Sequence, residues 1–323
     1  ETRQYAQASQ FSRHLTVARP NDPAAYLNAA PRYLCQPDPD LDKVQQYLDR
    51  GLDLALKDGN ENTLRSYRIQ RSYYLAVAAW AGGDVRKSKS HLDDMAQQLP
   101  LDDTWSGYAG LGYLTLGMAG EADKRLRNYP NLRIRLRWGV WRALLAGDTE
   151  AARQLAGRMG DEEPNPLSAI AMMRAGEVEA AAKMVKGLAG AAYADPVLVA
   201  RYELAMRQTG VYGAVEGLTD AVRSLSESEF SERWLAARLL ADAHVARGEL
   251  GRAVAVLEGT NSPARACGGF LVASFWPQAR YDLMQLYRRQ GRLEEARKIR
   301  EELDSMLIFA DRNYVVRAAL DRR

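Results

Sequence analysis

Histidine side chains are the first candidates for chemistry, because they bind metals and transfer protons near neutral pH. The chain has three, at His14, His91 and His244, and each lies in a different segment. His91 precedes the acidic pair Asp93 and Asp94, but no second histidine or cysteine stands at the spacing that a metal site requires. We therefore predict that the chain holds no metal and that its histidines serve packing or face solvent.

The residues from Gly107 to Gly112 have the glycine-rich composition of a phosphate-binding loop. They follow no predicted strand and lack the Gly-Lys-Ser ending, and two of the glycines fall where helices pack. No Gly-x-Ser-x-Gly or Ser-x-x-Lys nucleophile motif is present. Acidic residues that could transfer protons stand beside predicted turns, where helix capping explains them: Asp93, Asp94, Asp102, Asp103, Asp161, Glu162 and Glu163. The sequence predicts no cofactor and no enzyme activity.

Charge and hydropathy exclude two further classes of partner. Lysine and arginine number 44 against 41 acidic residues, a net charge of +3, so we expect no nucleic-acid partner. No apolar run approaches the roughly 18 residues that a membrane-spanning helix needs, so we expect no direct membrane insertion of this segment. The chain starts at Glu1, and we expect it to be a processed or excised part of a longer protein.

Glycines at near-regular intervals dominate the organisation of the chain. Each follows an apolar, aromatic-containing segment with helical spacing, at Gly83, Gly117, Gly147, Gly176, Gly210, Gly248 and Gly291. In five cases an alanine follows five residues later, at Ala122, Ala152, Ala181, Ala253 and Ala296. A period near 34 residues indicates stacked pairs of helices, each pair closed by a glycine turn.

The spacing resembles the tetratricopeptide repeat, a 34-residue helix–turn–helix family. That family has a small or apolar residue pair in its first helix, and Leu75-Ala76, Ala109-Gly110, Leu240-Ala241 and Leu283-Met284 match it. Tyr113 and Tyr287 match the family's tyrosine, with His244 in its place in another repeat. The resemblance implies an all-α, right-handed superhelix of seven or eight αα-hairpins, with residues 1–20 as a helix or linker, 21–305 as the solenoid and 306–323 as a capping tail.

The resemblance also implies a concave groove lined by the first helix of each hairpin. Aromatic and arginine residues, which are enriched at binding hot spots, are well represented among the positions it assigns to the groove. Our candidate binding residues are Tyr73, Trp80, Arg137, Trp141, Arg238, Asp242, Tyr281 and Arg288, with Arg207, Gln278 and Gln285 at equivalent positions. The alternative for the aromatic members is that they pack between hairpins. The Lys-plus-Asn carboxylate clamp of chaperone-binding family members is not reproduced.

Two cysteines, Cys35 and Cys267, lie far apart in the sequence. Distant repeats of a solenoid rarely touch, so we expect both to be buried free thiols rather than a disulfide. They do not indicate a compartment.

The sequence therefore predicts a non-catalytic module that binds a protein or peptide, either an extended segment or a partner helix. The alternative is a sensory or dimerisation module of a larger bacterial signalling protein. In that alternative, two copies of the chain would form a homodimer. Residues from Trp276 to Asp311 are similar to tetratricopeptide modules that follow bacterial serine/threonine kinase domains or membrane-anchored winged-helix regulators. The resemblance to membrane-anchored regulators implies a periplasmic location, and without it a cytoplasmic adaptor is expected.

Overall fold

The computed structural model describes residues 10, 14–36, 39–101, 103–159, 166–188, 194–209, 218–220, 222, 230–260, 266, 267 and 269–322. Within these residues every regular element is a helix, and no strand occurs among them. The chain divides into two compact units. The all-α fold predicted from the repeat spacing is confirmed.

Unit 1 comprises Glu1–Arg125, Ser262–Trp276 and Asp304–Asp311. Its elements are α1 (Pro23–Ala29), the 3-10 helix η1 (Ala30–Cys35), α2 (Leu41–Asp58), α3 (Glu61–Ala81), α4 (Val85–Gln97), α5 (Thr104–Thr115), most of α6 (Ala119–Leu126) and the short α14 (Phe270–Ala273). Helices α3 and α4 form a hairpin, and α5 packs against both. The segment of unit 1 near the C-terminus is tied to the start of α6, because the Asp311 carboxylate accepts the backbone N–H of Gly120 at 2.8 Å.

Unit 2 comprises Leu126–Asn261, Pro277–Leu303 and Arg312–Arg323. Its elements are α7 (Leu132–Ala146), α8 (Thr149–Arg158), α9 (Pro166–Arg174), α10 (Val178–Gly187), α11 (Ala194–Thr209), α12 (Phe230–Ala246), α13 (Leu250–Thr260), most of α15 (Trp276–Arg289) and α16 (Leu293–Met306), and α17 (Val315–Asp321). Helices α7, α8, α9, α10 and α11 pack in succession, and α12 packs against both α11 and α13. This is the neighbour-to-neighbour packing of a helical repeat.

The turns between paired helices contain the glycines that the spacing identified. Six have a left-handed φ between 71° and 91°, namely Gly83, Gly117, Gly147, Gly176, Gly248 and Gly291. After each one, the next residue donates its backbone N–H to the carbonyl five positions earlier, as Asp84 does to Ala79 at 2.8 Å. This bond closes the first helix and reverses the chain. Gly210 lies outside the described residues.

The alanines five positions after these glycines are buried where the paired helices meet. Ala122, Ala152, Ala181 and Ala253 are 0% exposed and Ala296 is 2% exposed. Their small side chains let neighbouring helices approach closely, as the repeat pattern predicts.

The expectation that the two cysteines are separate free thiols is wrong. Cys35 and Cys267 form a disulfide with an S–S distance of 2.05 Å. The expectation assumed that only neighbouring repeats touch. Instead, the described residues 266, 267 and 269–276 belong to unit 1, and Cys267 lies beside the end of η1. We call these described residues the returning segment.

The structure explains the glycine-rich stretch by helix packing, and it confirms the predicted helix capping for some of the acidic residues but not for all. The glycines from Gly107 to Gly112 lie in α5, and a Cβ at Gly112 would come within 2.6 Å of the Leu92 side chain, so the stretch serves helix packing. Asp103 caps α5 by accepting the Trp105 N–H at 2.7 Å, as predicted. Asp93 does not cap a helix, because it lies inside α4 and accepts the Tyr113 hydroxyl at 2.8 Å. Asp102 and residues 161–163 lie outside the described residues.

Candidate binding surfaces

Three of the predicted groove aromatics are buried inside their units. Tyr73 is 4% exposed, Trp80 is 0% exposed and Trp141 is 3% exposed. Their placement matches the packing alternative that the sequence left open for aromatic residues at these positions. The surface that a partner can reach must therefore be sought among the polar members of the set and their neighbours.

Tyr73 is covered by the returning segment. The ring of Phe270 meets the Tyr73 ring edge-on at 5.6 Å, and the Phe270 backbone N–H donates to the Tyr73 hydroxyl at 3.0 Å. Gly269 has a φ of 68°, and a Cβ there would lie 2.3 Å from the Tyr73 hydroxyl oxygen. Burial raises the pKa of the Tyr73 hydroxyl. The returning segment is thus fitted closely to the α3 side chain that the repeat pattern assigns to a groove.

Trp80, two turns further along α3, is covered in the same way. The Trp276 ring, at the end of the returning segment, packs edge-on against the Trp80 ring at 5.5 Å. Trp80 and Phe270 are among the largest fully buried side chains described. The chain's own returning segment therefore covers the α3 positions that the repeat pattern assigns to a groove.

Half-buried aromatic side chains surround Tyr73 on α3 and α5. Tyr74, Trp105 and Tyr108 have ring centroids 5.3 to 5.7 Å from that of Tyr73. Each retains partial contact with solvent. Sequence reasoning missed Trp105 and Tyr108, although Trp105 lies in the first turn of α5, two residues after its N-cap, and Tyr108 lies one turn later.

Polar groove positions of unit 2 lie together on the first helices of successive hairpins. We call this set the charged face. It consists of Arg174 on α9, Glu203 and Arg207 on α11, Arg238 and Asp242 on α12, and Gln278, Tyr281, Asp282, Arg288 and Arg289 on α15.

Glu203 joins two helices of the charged face. Its carboxylate accepts Arg174 Nε at 3.2 Å and Arg207 Nη2 at 3.1 Å. The glutamate is only 3% exposed, while the side chains of Arg174 and Arg207 are 20% and 38% exposed. A buried carboxylate is tolerated here because two guanidinium groups share it.

Asp282 joins α12 to α15 in a similar way. Its carboxylate pairs with Arg238 Nε at 3.4 Å and accepts the Gln278 amide at 2.9 Å. Burial raises the pKa of Asp282, and the opposing effect of Arg238 does not cancel it. The amide oxygen of Gln278 and the Oδ2 atom of Asp282 are both buried and accept no hydrogen bond from the described residues, so two polar atoms at this point of the charged face lack a hydrogen-bond donor.

Asp242 lies one turn after Arg238 and is exposed to solvent. The protein around it nevertheless raises the pKa of its carboxyl by excluding water, against the lowering effect of Arg238, Arg174 and Arg289. Asp242 therefore lies among guanidinium groups from α9, α12 and α15 while it remains in contact with solvent.

The remaining predicted residues divide between this face and another helix. Tyr281 is half-buried and Arg288 is exposed, both on the α15 stripe that carries Asp282. Arg137 is exposed on α7, and the structure does not bring it into the ion pairs described above. Sequence reasoning missed Glu203 and Asp282. Each stands four residues from a predicted position, Arg207 and Gln278, which is the spacing of helix neighbours.

Other kinds of site are not found in the described parts of the chain. There, no group of three or more histidine, cysteine, aspartate or glutamate side chains is arranged to hold a metal ion. No described helix combines the length and apolar character that a membrane crossing requires.

Comparison with known proteins yields one structural neighbour to report. No protein-family model and no curated protein matches the chain. Among solved structures, the crystal structure of yeast Tom70 aligns at a TM-score of 0.43 with 14% sequence identity. The alignment covers 93% of this chain and 63% of that one, so the chain spans less than two thirds of its length. At that score the likeness carries no argument, and the fold rests on the helices and glycine turns themselves.

Proposed function

We propose that this chain is a non-catalytic protein-interaction module, and that the charged face of unit 2 binds an acidic peptide segment or partner helix. The observation that carries the proposal is the placement of the exposed Asp242 among arginines from three helices, next to the ion pairs of Glu203 and Asp282 on the same face. Tyrosine and arginine, residue types that are enriched at binding hot spots, are present on α15 as Tyr281 and Arg288.

The balance of charge favours an acidic ligand. Glu203 and Asp282 are already paired with Arg174, Arg207 and Arg238. Arg288 and Arg289 are exposed in the last turn of α15 and make no ion pair with any described residue. Guanidinium groups hold carboxylates through paired hydrogen bonds, so two exposed arginines on this face suit a segment rich in aspartate or glutamate.

Site-specific photo-crosslinking in the native cell tests this proposal. A photoreactive phenylalanine analogue is placed at position 281, in the charged face, or at position 293, where Leu293 is 66% exposed on α16. We expect a discrete protein adduct from position 281, with the crosslinked peptide identified by mass spectrometry as an acidic segment. The purified partner should then bind the isolated chain.

The control position separates a specific site from general exposure. Adducts of equal yield from positions 281 and 293, or a crosslinked segment without acidic residues, would contradict the proposal. A partner that crosslinks at position 281 and binds the purified chain equally well after Arg288→Glu would also contradict it.

A further inference from the structure

Unit 1 contains a cleft of about 300 Å³ between α2, α3 and α4. Arg68, Arg71 and Ser72 of α3 line one part, Asp94 and Gln97 of α4 line another, and Leu52 of α2 adds apolar surface. The volume lies at the lower end of the range of about 300–1,000 Å³ that small-molecule sites occupy. None of these helices carries the charged face, so the inference is independent of peptide binding.

The guanidinium of Arg71 is held in place by one hydrogen bond, but not all of its nitrogens have a partner among the described residues. Its Nη2 donates to the Asp49 carboxylate at 2.5 Å, which fixes the guanidinium from the α2 side. Its Nε is buried and has no hydrogen-bond acceptor among the residues that the structure describes. A buried cationic donor without a partner is costly, so an acceptor supplied by a ligand would stabilise this group.

Two further charges in the cleft are unpaired. Arg68 and Asp94 are both exposed, and neither makes an ion pair with any residue that the structure describes. Ser72 and Gln97 add neutral groups that can both donate and accept hydrogen bonds. The cleft thus offers two guanidinium groups on α3 and a carboxylate on α4.

We propose that this cleft binds a small zwitterion of the α-amino-acid type. Arg68 and Arg71 would hold its carboxylate, because guanidinium geometry matches a carboxylate. Asp94 would pair with its ammonium group, and Ser72 and Gln97 would complete the polar contacts. A bare anion fits less well, since Asp94 and Asp49 bring negative charge to the site, and a simple cation would meet two arginines.

Calorimetric titration of the full chain with pools of the twenty common L-amino acids, then with single compounds, tests this proposal. Each binding compound is compared with its analogue lacking the amine, its analogue lacking the carboxylate, and inorganic phosphate. We expect saturable binding of at least one amino acid at up to millimolar concentration. Affinity should fall at least about tenfold when either charged group is removed from the compound.

Matched variants assign the contacts. Arg68→Gln should weaken amino-acid binding at least about tenfold, whereas Arg86→Gln, an exposed arginine of α4 outside the cleft, should not. Asp94→Asn should weaken binding of the amino acid but not of the analogue without the amine, with Asp53→Asn on α2 as control. The proposal fails if no pool binds, if phosphate binds as tightly as the amino acid, or if the cleft and control variants behave alike.

Discussion

The same repeat positions are covered on α3 of unit 1 and open to solvent on α12 of unit 2. On α3, the groove positions Tyr73 and Trp80 are apolar and lie beneath Phe270 and Trp276 of the returning segment. On α12, the groove positions Arg238 and Asp242 are polar, and Asp242 remains in contact with solvent. The position of a residue within a repeat therefore indicates which helix face it occupies. The amino-acid composition of that face decides whether the face is buried in the hydrophobic core.

The two units also differ in how their distant parts are held together. In unit 1 the returning segment is joined by a disulfide and by edge-on aromatic packing. In unit 2, the Glu203 carboxylate is shared between two arginines and joins α9 to α11, and the ion pair of Asp282 with Arg238 joins α12 to α15. Covalent and apolar links stabilise a core, whereas partly solvated ion pairs leave charged groups available to a partner. Three perturbations sharpen this contrast.

The largest effect should come from breaking the covalent link of unit 1. The disulfide closes a sequence separation of 232 residues. In the chain-entropy account, a loop of that length lowers the entropy of the unfolded chain enough to stabilise the fold by about 5 kcal/mol at most. We expect urea unfolding of the wild type, followed by tryptophan fluorescence, to shift to lower concentration on addition of reductant.

A double variant provides the control for this shift. Cys35→Ser with Cys267→Ser should unfold at the lower midpoint with or without reductant. An oxidised wild type that unfolds at the same midpoint as this variant would show that the link does not stabilise the returning segment.

An intermediate effect should come from removing the shared carboxylate of unit 2. Glu203→Gln leaves Arg174 and Arg207 without a negative partner, and we expect a loss of about 1–3 kcal/mol because both arginines are partly solvated. The matched change Glu150→Gln, at an exposed pair with Arg153, should have no measurable effect. Equal urea midpoints for the two variants would contradict the structural role given to Glu203.

The smallest effect should be on how the free energy of unfolding depends on pH, through the titration of Asp282. Its pKa is raised above 3.8 in the folded protein, so the unfolded chain loses this proton first as the pH rises. Deprotonation of Asp282 therefore lowers the free energy of unfolding between pH 3.8 and its raised folded value. The stability of Asp282→Asn minus that of wild type should increase with pH across this window. A difference that is flat or falls with pH, with Asp53→Asn as reference, would contradict the direction of the shift.

The local parts of the fold were predictable and the long-range parts were not. Glycine turns and buried alanines leave a signal within about ten residues, because a left-handed φ and a close helix approach restrict residue type directly. The disulfide between Cys35 and Cys267 depends on a chain reversal that no local pattern encodes. Burial of Trp80 depends on Trp276, which lies in the returning segment. Glu203 and Asp282 could have been predicted from the sequence, because helical spacing makes them neighbours of residues that the repeat pattern had already identified.

The most direct test of the open surface in unit 2 is the affinity of the chain for acidic peptides chosen from a displayed library. Fluorescence anisotropy would compare wild type, the double variant Arg288→Glu with Arg289→Glu, and the control Arg158→Glu on α8, another exposed arginine of unit 2. We predict that the double variant raises Kd at least about tenfold and that the control changes it by less than about twofold. Equal Kd values for the three proteins, or a library that yields only basic peptides, would contradict the assignment of the charged face as the binding surface.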